Sequence, residues 1–274
     1  MRRALSWLTI FILALAGCTA PRSRPAADQL AWQRLCAHMQ PAPENPAPSA
    51  AGPQDTAQGR ALEAAATRAR PAVVHIHTIM VEAAAPATEG DAARLGRRSG
   101  GTGVIVGADG LIVTAAHVVR GAQAVRVVLA DGTSYPAHAV EFDPHRDVAI
   151  VSIDAHDLPT LPPETAAAPH GTPIVALGCP DPAVAARRFG RVSKPCASLQ
   201  HQLDPAGACD FTKLIETTAA LEPGFSGGPL LDQHGHLLGL HVAMRGNTPE
   251  RRRGYAQPLD IATLAELSAR IRGR

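Results

Sequence analysis

The chain has 274 residues, 46% hydrophobic and 18% charged, enough to bury a sizeable core in one or two domains. Aromatics are only 3% and the net charge is +2, which argues against base stacking, an aromatic ligand cage or a nucleic-acid footprint. The basic runs Arg97-Arg98, Arg187-Arg188 and Arg251-Arg252-Arg253 are short and scattered, and they read as solvated loops.

Arg2 and Arg3 precede an uncharged, mostly apolar stretch from Ala4 to Ala16. It is too short to span a bilayer comfortably and has the shape of a signal-peptide core. It ends in Leu15-Ala16-Gly17-Cys18, which resembles the bacterial lipobox. That resemblance implies a lipoprotein signal peptide over residues 1–17, cleavage before Cys18, and acylation of its thiol and new amine. The alternatives are an ordinary signal peptide with an incidental Cys, or a short membrane anchor. Either processed form is exported to the cell envelope, and the acylated one is held to a membrane by Cys18.

From residue 18 to 59 the chain is rich in Pro and Ala, as in Gln40-Pro-Ala-Pro-Glu-Asn-Pro-Ala-Pro48, and reads as a semi-rigid tether. A short helix over Asp28–Met39 fits within it. Residues 60–274 form the folded domain, which a second short helix over Arg60–Ala69 opens. Short strands follow: Val73–Met80, Gly103–Val106, Leu111–Val113, Val125–Leu129, Ser134–Glu141 and Val148–Ile153. The second series is Pro173–Gly178, Phe189–Val192, Leu214–Thr218, Pro229–Leu231, Leu237–Val242 and Gly254–Pro258. Gly107-Ala-Asp-Gly110 and Asp131-Gly132 supply hairpin turns. Strands this short and regularly spaced predict an all-β fold of barrels or sandwiches. Ile261–Ile271 alone repeats its apolar residues with good helical spacing, so a helix over about 260–272 closes the chain.

Besides Cys18 there are four cysteines, Cys36, Cys179, Cys196 and Cys209. An even number in an exported chain suggests two disulfides, with three pairings open. Cys196 with Cys209 is the default, being close in sequence; Cys36 with Cys179 follows by elimination. No C-x₂-C pair suggests zinc. His75 and His77 share a strand face but lack a nearby carboxylate or Cys pattern, and Asp204–Asp210 lacks the spacing of a Ca²⁺ loop. No metal and no cofactor are expected.

The strongest chemical signal is Gly224-Phe-Ser-Gly-Gly-Pro-Leu-Leu231. A nucleophilic Ser needs a constrained turn, a neighbouring base and donors for the developing oxyanion. The glycines around Ser226 permit such a turn, and the N–H groups of Gly224 and Ser226 are the natural oxyanion pair. A glycine-rich β-turn with an incidental Ser is the structural alternative. The second signal is Leu111-Ile-Val-Thr-Ala-Ala-His-Val-Val119, which sets His117 directly after an apolar strand.

Thr114-Ala-Ala-His117, Asp147-Val-Ala-Ile-Val-Ser-Ile-Asp154 and Pro223-Gly-Phe-Ser-Gly-Gly-Pro-Leu230 together resemble the trypsin-like serine proteases, in particular the bacterial HtrA/Deg type. Ser99-Gly-Gly-Thr-Gly-Val-Ile-Val106 and Gly235-His-Leu-Leu-Gly-Leu240 fit the same pattern in the same order. The resemblance implies two antiparallel six-stranded β-barrels, over about 70–158 and 165–258, with the active site between them. It implies a triad of His117 as base, Asp147 as its orienting acid and Ser226 as nucleophile, acting on a protein or peptide substrate. Asp143, in Phe142-Asp-Pro-His-Arg-Asp147, is the competing acid, but it precedes Pro in a turn whereas Asp147 opens an apolar strand. Leu240, His241, Val242 and Ala243 would wall the specificity pocket, where a small aliphatic side chain is expected.

The pattern departs from the family at Phe225, where Asn, or Asp in the digestive enzymes, is usual. Activation by a new amino terminus is therefore not expected. Barely one helix follows the second barrel, so gating by a PDZ domain is not expected either. The alternatives to a peptidase are a catalytically silent binding protein on the same fold and an esterase using the same triad.

Overall fold

The computed structural model of the protein describes residues 56–80, 97–143, 145–163, 168–182, 184–203, 210–248 and 251–273. The expected signal peptide, Cys18, Cys36, nearly all of the tether and Cys209 lie outside them.

The first barrel is built from β1 (Val73–Met80), β2 (Arg97–Gly107), β3 (Leu111–Thr114), β4 (Ala122–Val128), β5 (Ser134–Phe142) and β6 (Ala149–Ile153). It closes in the spatial order β1-β2-β3-β6-β5-β4, with antiparallel pairing throughout. β3 and β6 are buried at every position, as their uninterrupted apolar sequences require. The second barrel comprises β7 (Pro173–Asp181), β8 (Val184–Ala197), β9 (Leu214–Thr217), β10 (Pro229–Asp232), β11 (Leu237–Arg245) and β12 (Arg253–Pro258). It closes as β10-β11-β12-β9-β8-β7, again antiparallel. Closure leaves neither sheet an unpaired edge.

β2 and β8 run well beyond the apolar segments Gly103–Val106 and Phe189–Val192 that mark them in the sequence. Their extensions pass through Gly100-Gly101 and through Lys194-Pro195. There the hydrogen-bonded ladder, not side-chain hydrophobicity, sustains the strand. The Arg187-Arg188 run, expected in a solvated loop, belongs to β8, and the Arg188 side chain is only 11% exposed.

Two longer helices brace the barrels. α1 (Ala57–Ala69) starts at Thr56, whose Oγ1 accepts the Gly59 N–H at 3.0 Å, and buries Leu62, Ala65, Ala66 and Ala69 over β7 and β10. A one-turn helix α2 (Ala116–Val119) follows β3, and α3 (Gln200–Leu203) follows β8. α4 (Ile261–Arg272) is capped by Asp260, which accepts the Ala262 N–H at 3.1 Å. Its Leu264, Leu267 and Ile271 are buried against β5 and β6, so the last helix returns to the first barrel. Arg146 reinforces that return by donating to Asp260 Oδ2 at 2.9 Å.

Candidate active site

β3 runs straight into α2, and this short turn carries His117 out of the core with its side chain 46% exposed. Asp147, at the entry to β6, is buried at 5% exposure. One carboxylate oxygen accepts the His117 backbone N–H at 2.8 Å, and the other accepts from His117 Nδ1 at 2.5 Å. The Asp147 carbonyl also accepts the Ala116 N–H at 3.2 Å. A carboxylate can only accept, so Nδ1 carries the ring proton and Nε2 is left as the basic nitrogen. Asp143, the competing acid, is spent on its own turn, accepting the backbone N–H groups of His145 and Arg146 at 2.7 and 3.1 Å.

The Ser226 turn is assembled from backbone geometry. Gly224 and Gly227 adopt φ of +94° and +81°. A Cβ on Gly227 would come within 2.2 Å of Thr102 O and Thr114 Oγ1, so only glycine fits there. Phe225 N–H donates to Glu222 O, Gly227 N–H to His241 O and Gly228 N–H to Phe225 O, at 3.2, 2.7 and 2.8 Å. Among the described residues, the two amides left without a protein acceptor in this turn are those of Gly224 and Ser226. No hydrogen bond joins Ser226 Oγ to His117 among the described residues. Such contacts are commonly long before substrate arrives.

Thr102, on β2, is a residue whose role the sequence concealed. Its N–H donates to Ser226 O at 2.8 Å and its Oγ1 donates to Gly224 O at 2.6 Å. The same Oγ1 accepts the Cys179 N–H at 2.8 Å, and Thr102 O accepts from Thr114 Oγ1 at 2.7 Å. The first barrel therefore grips the Ser226 turn of the second through one buried residue.

Phe225 supplies the grip from below. It is 1% exposed and packs so closely on Gly178 that a Cβ there would lie 2.6 Å from the ring. The Arg188 guanidinium stands 5.8 Å over the ring and pairs with Glu222 Oε1 at 2.6 Å. An apolar anchor thus occupies the position before Ser226, with the Arg188 cation over its ring.

A cleft of about 60 Å³ adjoins Ser226, and Glu222, Phe225, His241, Ala243 and Met244 are among its walls. Of the four wall residues expected from sequence, only His241 and Ala243 face it. Leu240 and Val242, the alternate positions of β11, are buried in the core at 0% and 7% exposure. The sequence reading missed Glu222, which precedes the Ser226 turn, and Met244, the β11 residue after Ala243. His241 is 1% exposed, and burial pushes its pKa down to about 4.

His75 and His77 sit ring to ring at 4.2 Å, with His75 Nδ1 donating to Cys179 O at 2.5 Å. Among the described residues, no group of three His, Cys, Asp or Glu side chains is poised for a metal. Cys179 is a buried free cysteine; Cys196 is an exposed one, 3.9 Å from Thr212 O.

Paired six-stranded barrels, with an Asp–His pair on one and a glycine-bracketed Ser on the other, define a trypsin-like serine peptidase architecture. Residues 101–240, about half of the chain, match the trypsin-like peptidase domain, and the chain belongs to that family. Its relatives are of the HtrA type. It is 38% identical over 147 residues to a probable periplasmic serine endoprotease, DegP-like, of Chlamydia pneumoniae, covering 53% of this chain and 28% of that protein. It is 33% identical over 206 residues to the serine endoprotease DegS of Salmonella typhimurium, covering 73% and 54%. The solved HtrA-type protease AlgW with a tripeptide superposes with a TM-score of 0.63 at 29% identity, covering 78% of this chain and 64% of that one. The chain thus spans under two thirds of the length of each.

Proposed function

We propose that the protein is a serine endopeptidase of the bacterial cell envelope. The observation that carries this is the pair of unengaged amides, Gly224 and Ser226, on a turn that Thr102 ties to the barrel carrying the His117–Asp147 pair. Ser226 Oγ would attack the substrate carbonyl carbon as His117 Nε2 takes the hydroxyl proton. Asp147 would hold the Nδ1 proton and stabilise the imidazolium. The two amides would receive the oxyanion. His117 would then give its proton to the leaving amine as the C–N bond breaks, leaving an acyl-Ser226 ester. Water, deprotonated by His117, would hydrolyse that ester and restore the Ser226 hydroxyl. No step calls for a cofactor.

The periplasmic names of relatives and the Leu15–Cys18 lipobox support an exported protein tethered to a membrane through acylated Cys18. An oxidising compartment would also favour a Cys196–Cys209 disulfide, which peptide mapping without reduction would detect. Labelled fatty acid should enter the wild-type protein and be absent from Cys18→Ala.

The decisive experiment is covalent labelling of folded protein by a fluorophosphonate, with casein hydrolysis measured alongside. Labelling that disappears in Ser226→Ala, together with hydrolysis, supports the endopeptidase. Folded protein that neither labels nor cleaves is instead a silent binding protein on a protease fold. Labelled protein that cleaves esters but no peptide is an esterase.

A further inference from the structure

β11 fixes His241 against the nucleophile turn from both sides of its backbone. Its N–H donates to Gly228 O at 2.9 Å, and its carbonyl accepts the Gly227 N–H at 2.7 Å. The ring stands edge-on to Phe225, with centroids 6.4 Å apart. It is 1% exposed, yet it lines the cleft beside Ser226. Neither Nδ1 nor Nε2 has a hydrogen-bond partner among the described residues, and both atoms are covered from solvent. The Pro229 carbonyl is near enough to favour a ring proton without reaching hydrogen-bond geometry.

Buried polar atoms nearly always find partners, and an orphan one is costly. Valine or leucine would fill the same volume without that cost. A histidine whose covered nitrogens lack partners, in a residue that lines the cleft beside Ser226, therefore has the form of a site that a ligand entering the cleft would uncover and complete.

The ligand's chemistry follows from what else lines the cleft. Burial keeps the ring neutral near pH 7, so it offers one N–H donor and one acceptor. Glu222 forms part of the wall, and its carboxylate is paired with Arg188 at 2.6 Å. An incoming carboxylate would meet that anion and no free cation among the lining residues. An incoming carboxamide is neutral: its oxygen would accept from the His241 ring, and its NH₂ would donate to Glu222. A cleft of about 60 Å³ takes on the order of four to six non-hydrogen atoms, the size of a glutamine side chain.

Resting on the endopeptidase reading above, we propose that His241 is the specificity determinant and selects a side-chain carboxamide, glutamine foremost, directly before the scissile bond. This replaces the small aliphatic residue expected from sequence.

The test is a set of fluorogenic peptides identical except for Gln, Glu, Met or Val before the cleaved bond, read as kcat/KM. Gln should exceed size-matched Met by about ten- to a hundredfold, because a Met side chain leaves the His241 nitrogens unpaired. His241→Val should bring the Gln-to-Met ratio close to one. Should that variant fail to fold, competition between Gln and Met peptide aldehydes on the wild-type protein reads the same preference. The proposal is overturned if wild-type protein cleaves Met or Val peptides as fast as Gln, if Glu surpasses Gln at neutral pH, or if folded His241→Val keeps the ratio. Fluorophosphonate labelling separates the two readings. Labelled protein with no Gln preference removes only the role of His241. Protein that neither labels nor cleaves any of the four removes both.

Discussion

The two barrels contribute to the site by different physical means. The first supplies side-chain electrostatics: a buried carboxylate engages His117 twice, through the backbone N–H and through Nδ1. The second supplies backbone geometry, with glycines at positive φ, two unengaged amides and an apolar anchor beneath them. In the proposed mechanism proton handling would depend on charge, which one substitution can erase. Oxyanion binding would depend on shape, which many contacts share.

The largest effect expected strikes where the halves meet. Ser226→Ala should cut turnover by about 10⁶ while leaving the thermal midpoint unchanged, since the side chain makes no structural hydrogen bond among the described residues. Steady-state kinetics and calorimetry on the same preparation check both parts. Next, Asp147→Asn tests the first barrel alone. The amide can donate as well as accept, so the ring tautomer is no longer fixed, and turnover should drop by about 10⁴ with KM little changed.

The second barrel's equivalent test is pH. His241 titrates at about 4 when folded, against an ordinary 6.5. Between those values the unfolded chain binds the extra proton, so stability rises with pH across that window and falls on acidification. On the order of 3 kcal/mol should be lost between pH 6.5 and 4 through this residue. Urea titrations should show wild-type protein losing that much more than His241→Val across the interval; equal losses would refute the buried neutral ring.

The smallest effect sharpens the comparison most. Thr102→Val keeps the shape but strips the hydroxyl from Gly224 O and Cys179 N–H. It should cost about 2 kcal/mol in stability. Turnover should also fall, with KM nearly constant, because the oxyanion turn loses its clamp. A turnover equal to wild type in the destabilised variant would mean that the Thr102 hydroxyl is not needed to hold the turn.

These differences track what the sequence made legible. The barrels were readable because closely spaced apolar strands such as Leu111–Val113 and Val148–Ile153 must be buried. His117 and the Ser226 turn were readable because their chemistry is local, a His after an apolar strand and a Ser between glycines. Thr102, Arg188 and Glu222 were not, since each matters through a partner far along the chain: Thr102 through Gly224, Arg188 through Phe225 and Glu222. Arg188 even misled, as a short basic run normally lies in solvent. The cleft was half legible: His241 and Ala243 line it while Leu240 and Val242 are buried, and the register irregularity of β11 between His241 and Ala243, beyond which Met244 also lines the cleft, is not written in the local sequence. The orphaned nitrogens of His241 exist only in three dimensions.

Thr102 also sets a rule for recombination between relatives. It is encoded with the amino-terminal barrel, yet three of its hydrogen bonds, to Ser226, Gly224 and Cys179, reach residues of the carboxy-terminal one. A crossover in the connection between Ile153 and Pro173 would divide the gene cleanly between barrels. It would also part the clamp from what it clamps. Hybrids made there should retain function when the donor supplies a hydroxyl-bearing residue at this place on its second strand. Where a purely apolar residue stands there, both barrels should fold and the hybrid turn over slowly.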